Sequence, residues 1–265
     1  MKPAPFEYRA PASIDEALGL LGLDSTVLAG GQSLLPLLNL RLARPELVVD
    51  INGLAELDYI RDDGGRLQIG AMTRQAALER SDLVRRKWPL LHKAVRLVGH
   101  TQIRSRGTVG GSVAHADPAA ELPAALIALD ARFALRSSKG ARSVAASDFF
   151  LGALYTVREP DELLVEIEVP AQPEGAGTGF AEHARTHGDF ATAGAAAVVA
   201  PGGHARIALL GAGPVPARAE EAERALAGGA DAREAAVLAT RDVEGDHRRA
   251  LCGELARRAI EETAA

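Results

Sequence analysis

The chain has 265 residues, 47% of them hydrophobic and 25% charged, which is typical of a globular protein with one large domain or two to three small ones. Its formal net charge of −5 argues against a nucleic-acid partner, because no basic excess is available to release counterions from phosphates. The single cysteine excludes an internal disulfide and cannot by itself hold an iron–sulfur cluster. Neither a signal-peptide pattern nor a membrane-spanning apolar stretch is present, so we expect a cytoplasmic protein with no transmembrane segment.

The N-terminal region, residues 1–57, has the pattern of a βαβ-type unit. Ser13 and Glu16 form a capping box, which is typical of the start of a helix. The apolar stretch 34–42 contains Pro36, so we expect a short irregular or 3₁₀ segment there rather than a long helix. Buried strands are predicted at residues 6–9, 26–29 and 47–51.

A second unit is predicted over residues 58–170. Asp62-Asp63-Gly64-Gly65 joins two short strand-like runs, which is a strong signal for a hairpin. Thr73 is predicted to cap one helix and Pro89 to open another. The predicted helices cover residues 73–81, 89–98 and 118–129. The predicted strands cover residues 59–61, 66–70, 132–136, 142–146 and 163–169.

The pattern changes in the last unit, residues 171–265. A stretch rich in proline and glycine, residues 171–179, predicts a linker. The runs 193–200 and 204–210 flank Pro201-Gly202-Gly203 and predict a hairpin. Two helices are predicted near residues 217–227 and 246–262. Because strands and helices do not alternate as a continuous βαβ series, the expected fold class is α+β.

Two glycine pairs carry the strongest functional signal: Ala29-Gly30-Gly31-Gln32-Ser33 and Thr108-Val109-Gly110-Gly111-Ser112. Neither matches the dinucleotide fingerprint G-x-G-x-x-G or the P-loop. Either motif alone is more often a tight turn at the end of a strand. Each follows a strand-like segment, however, and each ends in a serine that can donate to a phosphate or ribityl oxygen. Together they indicate two loops around one large phosphate-bearing cofactor.

These motifs resemble a known family. Residues 29–42 are similar to the first FAD motif of the flavoprotein (medium) subunits of molybdenum hydroxylases, such as the carbon monoxide, nicotine and xanthine dehydrogenases. Residues 102–123 resemble the second FAD motif of that family nearly residue for residue, and the likeness continues through 162–170 and 187–191. The resemblance implies noncovalent FAD in a vanillyl-alcohol-oxidase-type (PCMH-like) domain. Its two subdomains would be residues 1–57 and 58–170, followed by a C-terminal antiparallel sheet and helix domain, residues 171–265.

The resemblance also implies which residues contact FAD. The pyrophosphate would lie on residues 30–33 and on the second motif, Glu121 would accept from the ribityl hydroxyls, and Leu164 would lie near the flavin ring. An alternative role for Glu121, read from the sequence alone, is a first-turn helix residue stabilised by the helix dipole. The implied cofactor-binding residues are Ala29, Gly30, Gly31, Gln32, Ser33, Leu34, Thr108, Gly110, Gly111, Ser112, His115, Asp117, Glu121 and Leu164.

Three further positions require separate interpretation. His115 and Asp117 could suggest a metal site or a general base, but no further ligand stands at suitable spacing, so the residues themselves favour a role in stabilising the loop. No metal site is expected in this chain. Glu182 falls where members of the family often have a lysine near the flavin, and the loss of that cation would lower the redox potential.

The functional expectation is an electron-transfer subunit of an oxidoreductase, with no catalytic residue of its own. FAD would receive electrons from two [2Fe–2S] clusters of a small partner subunit and pass them to an external acceptor. A large partner subunit would carry the molybdopterin cofactor, and the complex would be a dimer of heterotrimers. Two alternatives remain open at this point, a self-contained FAD-dependent oxidase of the same superfamily and a non-redox nucleotide-binding module.

Overall fold

The computed structural model describes residues 2–264, and the terminal positions Met1 and Ala265 lie outside them. Within that range, three sheets of three or more strands follow one another along the chain, with helices packed against each. A mixed helix and sheet architecture was predicted and is observed.

The N-terminal sheet has three parallel strands in the order β1-β3-β2, as expected for a βαβ-type unit. Ser13 Oγ accepts the N–H of Glu16 at 3.2 Å and caps the crossover helix α1, which confirms the predicted helix start. The elements are β1 (Glu7–Arg9), α1 (Ile14–Leu20), β2 (Ser25–Leu28), α2 (Leu34–Asn39) and β3 (Leu47–Asp50).

Helix α2 corrects the expectation of an irregular segment after the first glycine motif. Its proline, Pro36, is the third residue of the helix. The first backbone N–H groups of a helix have no acceptor within the helix, so a proline in the first turn removes no hydrogen bond. Leu35 N–H donates to the carbonyl oxygen of Gly31 at 3.0 Å, so the helix begins directly out of the glycine motif.

The middle sheet has five antiparallel strands in the order β4-β5-β10-β6-β7. Its first hairpin confirms the prediction, since Gly64 and Gly65 both have positive φ, 60° and 88°, as a type I′ turn requires. The elements are β4 (Ile60–Asp63), β5 (Arg66–Gly70), α3 (Gln75–Arg80), α4 (Asp82–Lys87), α5 (Pro89–Val95), α6 (Thr101–Arg106), α7 (Val109–His115), α8 (Glu121–Ala128), β6 (Arg132–Ser137), β7 (Gly140–Ala145), α9 (Ala146–Phe149), β8 (Phe150–Gly152), β9 (Tyr155–Thr156) and β10 (Leu163–Val169).

Three expectations about this region were wrong in detail. Thr73 does not cap a helix, because its hydroxyl donates to the carbonyl oxygen of Tyr59 at 2.8 Å and α3 begins at Gln75. The second glycine motif is not a loop after a strand: it follows helix α6 and forms the first turn of α7. The helix expected from Pro118 begins at Glu121, because residues 117–120 form a turn. In this turn the N–H of Ala120 donates a hydrogen bond to the carbonyl oxygen of Asp117.

The C-terminal sheet is antiparallel with the order β11-β12-β13-β14, and its central hairpin and last helix confirm the predictions. The helix expected from residue 217 begins three residues later, because Ala217–Arg218 pair with β13 as an edge strand. The elements are β11 (Gly177–His183), β12 (Ala193–Ala200), β13 (His204–Leu210), β14 (Ala217–Arg218), α10 (Glu220–Ala227), α11 (Ala232–Ala239) and α12 (Asp246–Glu262).

Helix α8 packs against both the middle sheet and the C-terminal sheet. Every residue of this helix is buried, and its apolar side chains belong to one hydrophobic core with residues of both sheets, such as Leu135 and Val198. A helix that is apolar on all sides is stable only when it is covered on all sides. Its first residue, Glu121, is therefore a carboxylic acid held in a largely apolar environment.

Candidate functional site

A cleft of about 550 Å³ lies where the N-terminal sheet meets helix α7 and the start of α8. This volume is in the range of small-molecule and cofactor sites. Every residue that the sequence analysis assigned to cofactor binding lines the cleft, from Ala29 to Leu164. The fold therefore brings two motifs that are far apart in sequence into a single site.

The first glycine motif presents a row of backbone donors to this cleft. The N–H groups of residues 30–33 have no acceptor among the residues that the structure describes. Gly31 has φ of 74°, a left-handed conformation that favours glycine. The Gln32 side chain donates to the carbonyl oxygen of Gly30 at 3.1 Å and fixes the turn. Consecutive unpaired N–H groups in such a turn form an anion-binding concavity that suits a pyrophosphate.

Two polar side chains that sequence reasoning missed brace this motif. Asn52 Nδ2 donates to the carbonyl oxygen of Ala29 at 2.8 Å. Arg74 donates to Asn52 Oδ1 at 2.7 Å and to the carbonyl oxygen of Arg106 at 2.5 Å. This series of hydrogen bonds thus links the first glycine motif to Arg106, in the segment just before the second motif. No local pattern marks Asn52 or Arg74, because their partners are distant in sequence.

The second glycine motif contributes differently from what was expected. Its N–H groups are paired within the protein: Val109 donates to Thr73, Gly110 to Ala71, and Gly111 to Thr108 Oγ1. The motif therefore forms a wall of the cleft and supplies few backbone donors. The Ser112 hydroxyl makes no hydrogen bond with the described residues, and it remains available to a ligand.

Gly110 is required for packing, because a Cβ at this position would lie 2.6 Å from Ala71 Cβ. We expect Gly110→Ala to destabilise the folded chain by about 1–3 kcal/mol, the usual cost of overpacking. Urea unfolding measures this change. The control is Gly22→Ala, since a Cβ at Gly22 meets nothing within 4 Å. Equal midpoints for the two variants would contradict this packing role.

Glu121 is 6% exposed and lines the cleft. Its pKa is raised to about 8: burial is the main cause, nearby Glu182 and Asp117 add to the rise, and a hydrogen bond from its own backbone N–H opposes it. The free carboxyl group therefore holds its proton at neutral pH. Its position at the first residue of α8 agrees with the helix-start interpretation, and its place in the cleft wall agrees with contact to a ligand.

Glu182 is the next-to-last residue of β11 and lies near Glu121. Its Oε2 is buried and has no hydrogen-bond partner among the described residues. Burial raises the pKa of Glu182 to about 7. The chain therefore places an acid in this region, where the family resemblance led us to consider a lysine.

His115 and Asp117 both line the cleft beside the end of α7. Asp117 Oδ1 accepts the N–H of Ala119 at 2.9 Å, so this carboxylate stabilises the turn before α8, the role that its sequence context favoured. Burial lowers the pKa of His115, which keeps the imidazole neutral at pH 7. Among residues 2–264, no group of three or more His, Cys, Asp or Glu side chains is arranged to hold a metal ion.

Several lining residues were not predicted, because only the tertiary fold brings them to the cleft. Gln75 is 4% exposed, and its Oε1 is buried without a partner in the described chain. Arg158 also lines the cleft, as Leu164 does. Phe190 is 67% exposed and follows Gly188 and Asp189 along the rim. An orphaned buried acceptor, free backbone donors and an apolar wall together fit a ligand with phosphates, hydroxyls and flat rings.

Comparison with known proteins identifies this ligand. Residues 4–172 match the family described as the FAD binding domain in molybdopterin dehydrogenase. The chain belongs to this family. It is 42% identical to the carbon monoxide dehydrogenase medium chain of Hydrogenophaga pseudoflava over 98% of its length and 97% of that protein. It is 43% identical to the caffeine dehydrogenase subunit beta of Pseudomonas sp. (strain CBB1), over 86% of its length and 80% of that protein.

Solved structures agree with this membership. The chain superposes with a TM-score of 0.93 on a chain of the carbon monoxide dehydrogenase from Hydrogenophaga pseudoflava, at 43% identity and covering 100% of this chain and 99% of that one. Quinoline 2-oxidoreductase from Pseudomonas putida 86 gives a TM-score of 0.93 at 39% identity, covering 100% of this chain and 98% of that one. The protein is a flavoprotein subunit of an oxidoreductase, and its cofactor is FAD.

No helix within residues 2–264 combines the length and the apolar character needed to cross a membrane.

Proposed function

We propose that the chain is the electron-transfer subunit of a molybdenum hydroxylase, in which FAD receives electrons from [2Fe–2S] clusters of a small partner subunit and passes them to an external acceptor. The observation that carries this proposal is the single cleft in which both glycine motifs meet, with the free N–H groups of residues 30–33 at its wall. The chain has one cysteine, so the clusters belong to another subunit. FAD supplies the redox chemistry, and this chain binds and orients it.

We propose the following orientation for FAD. The pyrophosphate lies on residues 30–33, whose N–H groups are free. The ribityl hydroxyls lie against Glu121, because a carboxylate accepts hydrogen bonds and these hydroxyls donate them. The flavin ring then lies beyond Glu121, against Leu164 and the apolar rim. Ser112 and Thr108 supply hydroxyl groups between the pyrophosphate and the flavin ring. The remaining predicted residues form the wall of the cleft.

The proposed architecture is the PCMH-like layout, with FAD-binding subdomains at residues 1–57 and 58–170 and a C-terminal domain at 171–265. The three sheets, which lie within these limits, support this division. The proposed assembly is a cytoplasmic dimer of heterotrimers with a large molybdopterin-binding subunit. Several relatives carry names of dehydrogenase subunits, medium chains or complexes, which supports a multi-subunit arrangement.

The test is affinity purification of the tagged full chain from its native host, followed by metal and flavin analysis of the complex. We expect molybdenum, iron and FAD to co-purify, and we expect dissociation of the iron-containing subunit to abolish flavin reduction by the organic or gaseous substrate. Substrate-dependent flavin reduction by a preparation free of molybdenum and iron would contradict the proposal and would favour a self-contained oxidase.

A further inference from the structure

One basic side chain stands out at the cleft. Among the described residues that line it, Arg158 is the only arginine or lysine. One guanidinium nitrogen donates to the carbonyl oxygens of Glu162 at 2.8 Å and Glu159 at 3.1 Å. These backbone contacts hold the side chain in place and leave other N–H groups of the fork available, since arginine has five donors.

The charge of Arg158 is not cancelled by the acid beside it. The carboxylate of Glu162 is bound by Arg142 at 2.6 and 2.7 Å and by the N–H of Glu159 at 2.8 Å. Arg158 forms no ion pair with a carboxylate in the part of the chain that the structure describes. Burial lowers the pKa of Arg158, yet an arginine remains protonated at any physiological pH. A partly buried positive charge therefore faces the cleft.

Arg158 donates to the carbonyl oxygen of Glu162, two residues before Leu164, against which we place the flavin ring. The segment that carries Arg158 is tied to helix α7, because the N–H of Leu154 donates to the carbonyl oxygen of Ala116 at 2.9 Å. Leu154, Arg158 and Leu164 line the cleft together with Glu121. Since Leu164 is assigned to the flavin ring and Arg158 is bonded to the backbone just before Leu164, the ring is the part of FAD that we place next to Arg158. This step rests on the proposed function.

We propose that Arg158 supplies the positive charge at the flavin ring in this protein and thereby raises the midpoint potential of the bound FAD. Reduction adds negative charge to the ring, and a guanidinium in a partly desolvated cleft favours the reduced form over the oxidised form. The acid Glu182 cannot perform this role, because it carries no positive charge in either protonation state. Arg158 is thus a potential-tuning residue on a different element of the fold.

The experiment compares the FAD midpoint potential of the assembled complex in three variants. Arg158→Gln removes the charge, Arg158→Lys keeps it, and Arg66→Gln removes an exposed charge that does not line the cleft. We expect Arg158→Gln to lower the potential by about 30 mV or more, which for a two-electron couple equals a tenfold change in equilibrium. We expect the midpoint potential of Arg158→Lys to stay close to the wild-type value and that of Arg66→Gln to equal it.

A wild-type potential in FAD-loaded Arg158→Gln would overturn the inference, as would weaker FAD binding without a potential change, which would place Arg158 on the pyrophosphate. If FAD is lost from Arg158→Gln but not from Arg158→Lys, the charge contributes to FAD binding, and the potential of Arg158→Gln measured with added FAD decides whether the charge also tunes the ring. Equal loss from both variants contradicts it, because the loss would then follow from shape. Absence of FAD from the wild-type complex would overturn the proposed function itself, and with it this inference.

Discussion

Gly30→Ala is expected to weaken FAD retention at least tenfold. A Cβ at this position would overlap the carbonyl oxygen of Arg106 and lie 2.7 Å from the Cα of Gly107. Both are backbone atoms, which cannot rotate away, so the first glycine motif must shift as a whole. The shift would displace the free N–H groups of residues 30–33 together, and each hydrogen bond to a charged group is worth about 1.5–3 kcal/mol.

The matched control is Gly53→Ala, because a Cβ at Gly53 meets nothing within 4 Å. FAD content per chain is measured after extensive dialysis, and the dissociation constant is measured by fluorescence titration of the FAD-depleted complex. Wild-type affinity in Gly30→Ala would show that residues 30–33 do not hold the pyrophosphate.

Glu121→Gln is expected to remove a pH dependence from both stability and FAD binding. The pKa of Glu121 is raised from 4.5 to about 8 in the FAD-free fold. The folded state therefore keeps a proton between pH 4.5 and 8 that the unfolded state releases, so the stability of the FAD-free chain falls as pH rises through this range. At about 1.4 kcal/mol per pH unit, the full effect is about 5 kcal/mol, and Glu121→Gln abolishes it.

FAD binding has the opposite dependence. Ribityl hydroxyls donate to the ionised carboxylate, so binding releases the proton of Glu121, and affinity rises with pH until it levels off near pH 8. We expect the wild-type affinity to increase about tenfold or more between pH 6 and pH 8. Glu121→Gln should bind FAD more weakly at pH 8 and with little slope.

Glu182 provides the control, because its pKa of about 7 lies in the same range. Glu182→Gln should retain most of the rise in FAD affinity between pH 6 and pH 8. If the slope persists in Glu121→Gln and disappears in Glu182→Gln, the ribityl assignment is wrong. If Glu121→Gln changes the stability of the chain and leaves FAD affinity unchanged, Glu121 serves only the start of α8.

Local chemistry predicted some elements well. The hairpin around Gly64 and Gly65 needs positive φ at both positions, a requirement that is visible in the sequence. The alternation of apolar and acidic residues in the segment 163–169 predicted strand β10, which is the central strand of the middle sheet. In both cases the determining interactions are short-range or follow the period of the element.

The errors came from tertiary interactions that override local preference. Two adjacent glycines are unfavourable in a helix, so residues 109–115 did not suggest one. The helix forms because Val109 and Gly110 donate to a segment near residue 72, and because Gly110 fits closely against Ala71. Gln75 and Arg158 were missed for the same reason, since nothing in their own sequence context shows which surface they face.

The central claim, that this cleft holds FAD without a covalent bond, is tested most directly by acid precipitation of the purified complex and quantification of flavin in the supernatant. We predict close to one intact FAD released per chain. A preparation that contains no flavin, or flavin that remains with the precipitated protein, would contradict this account.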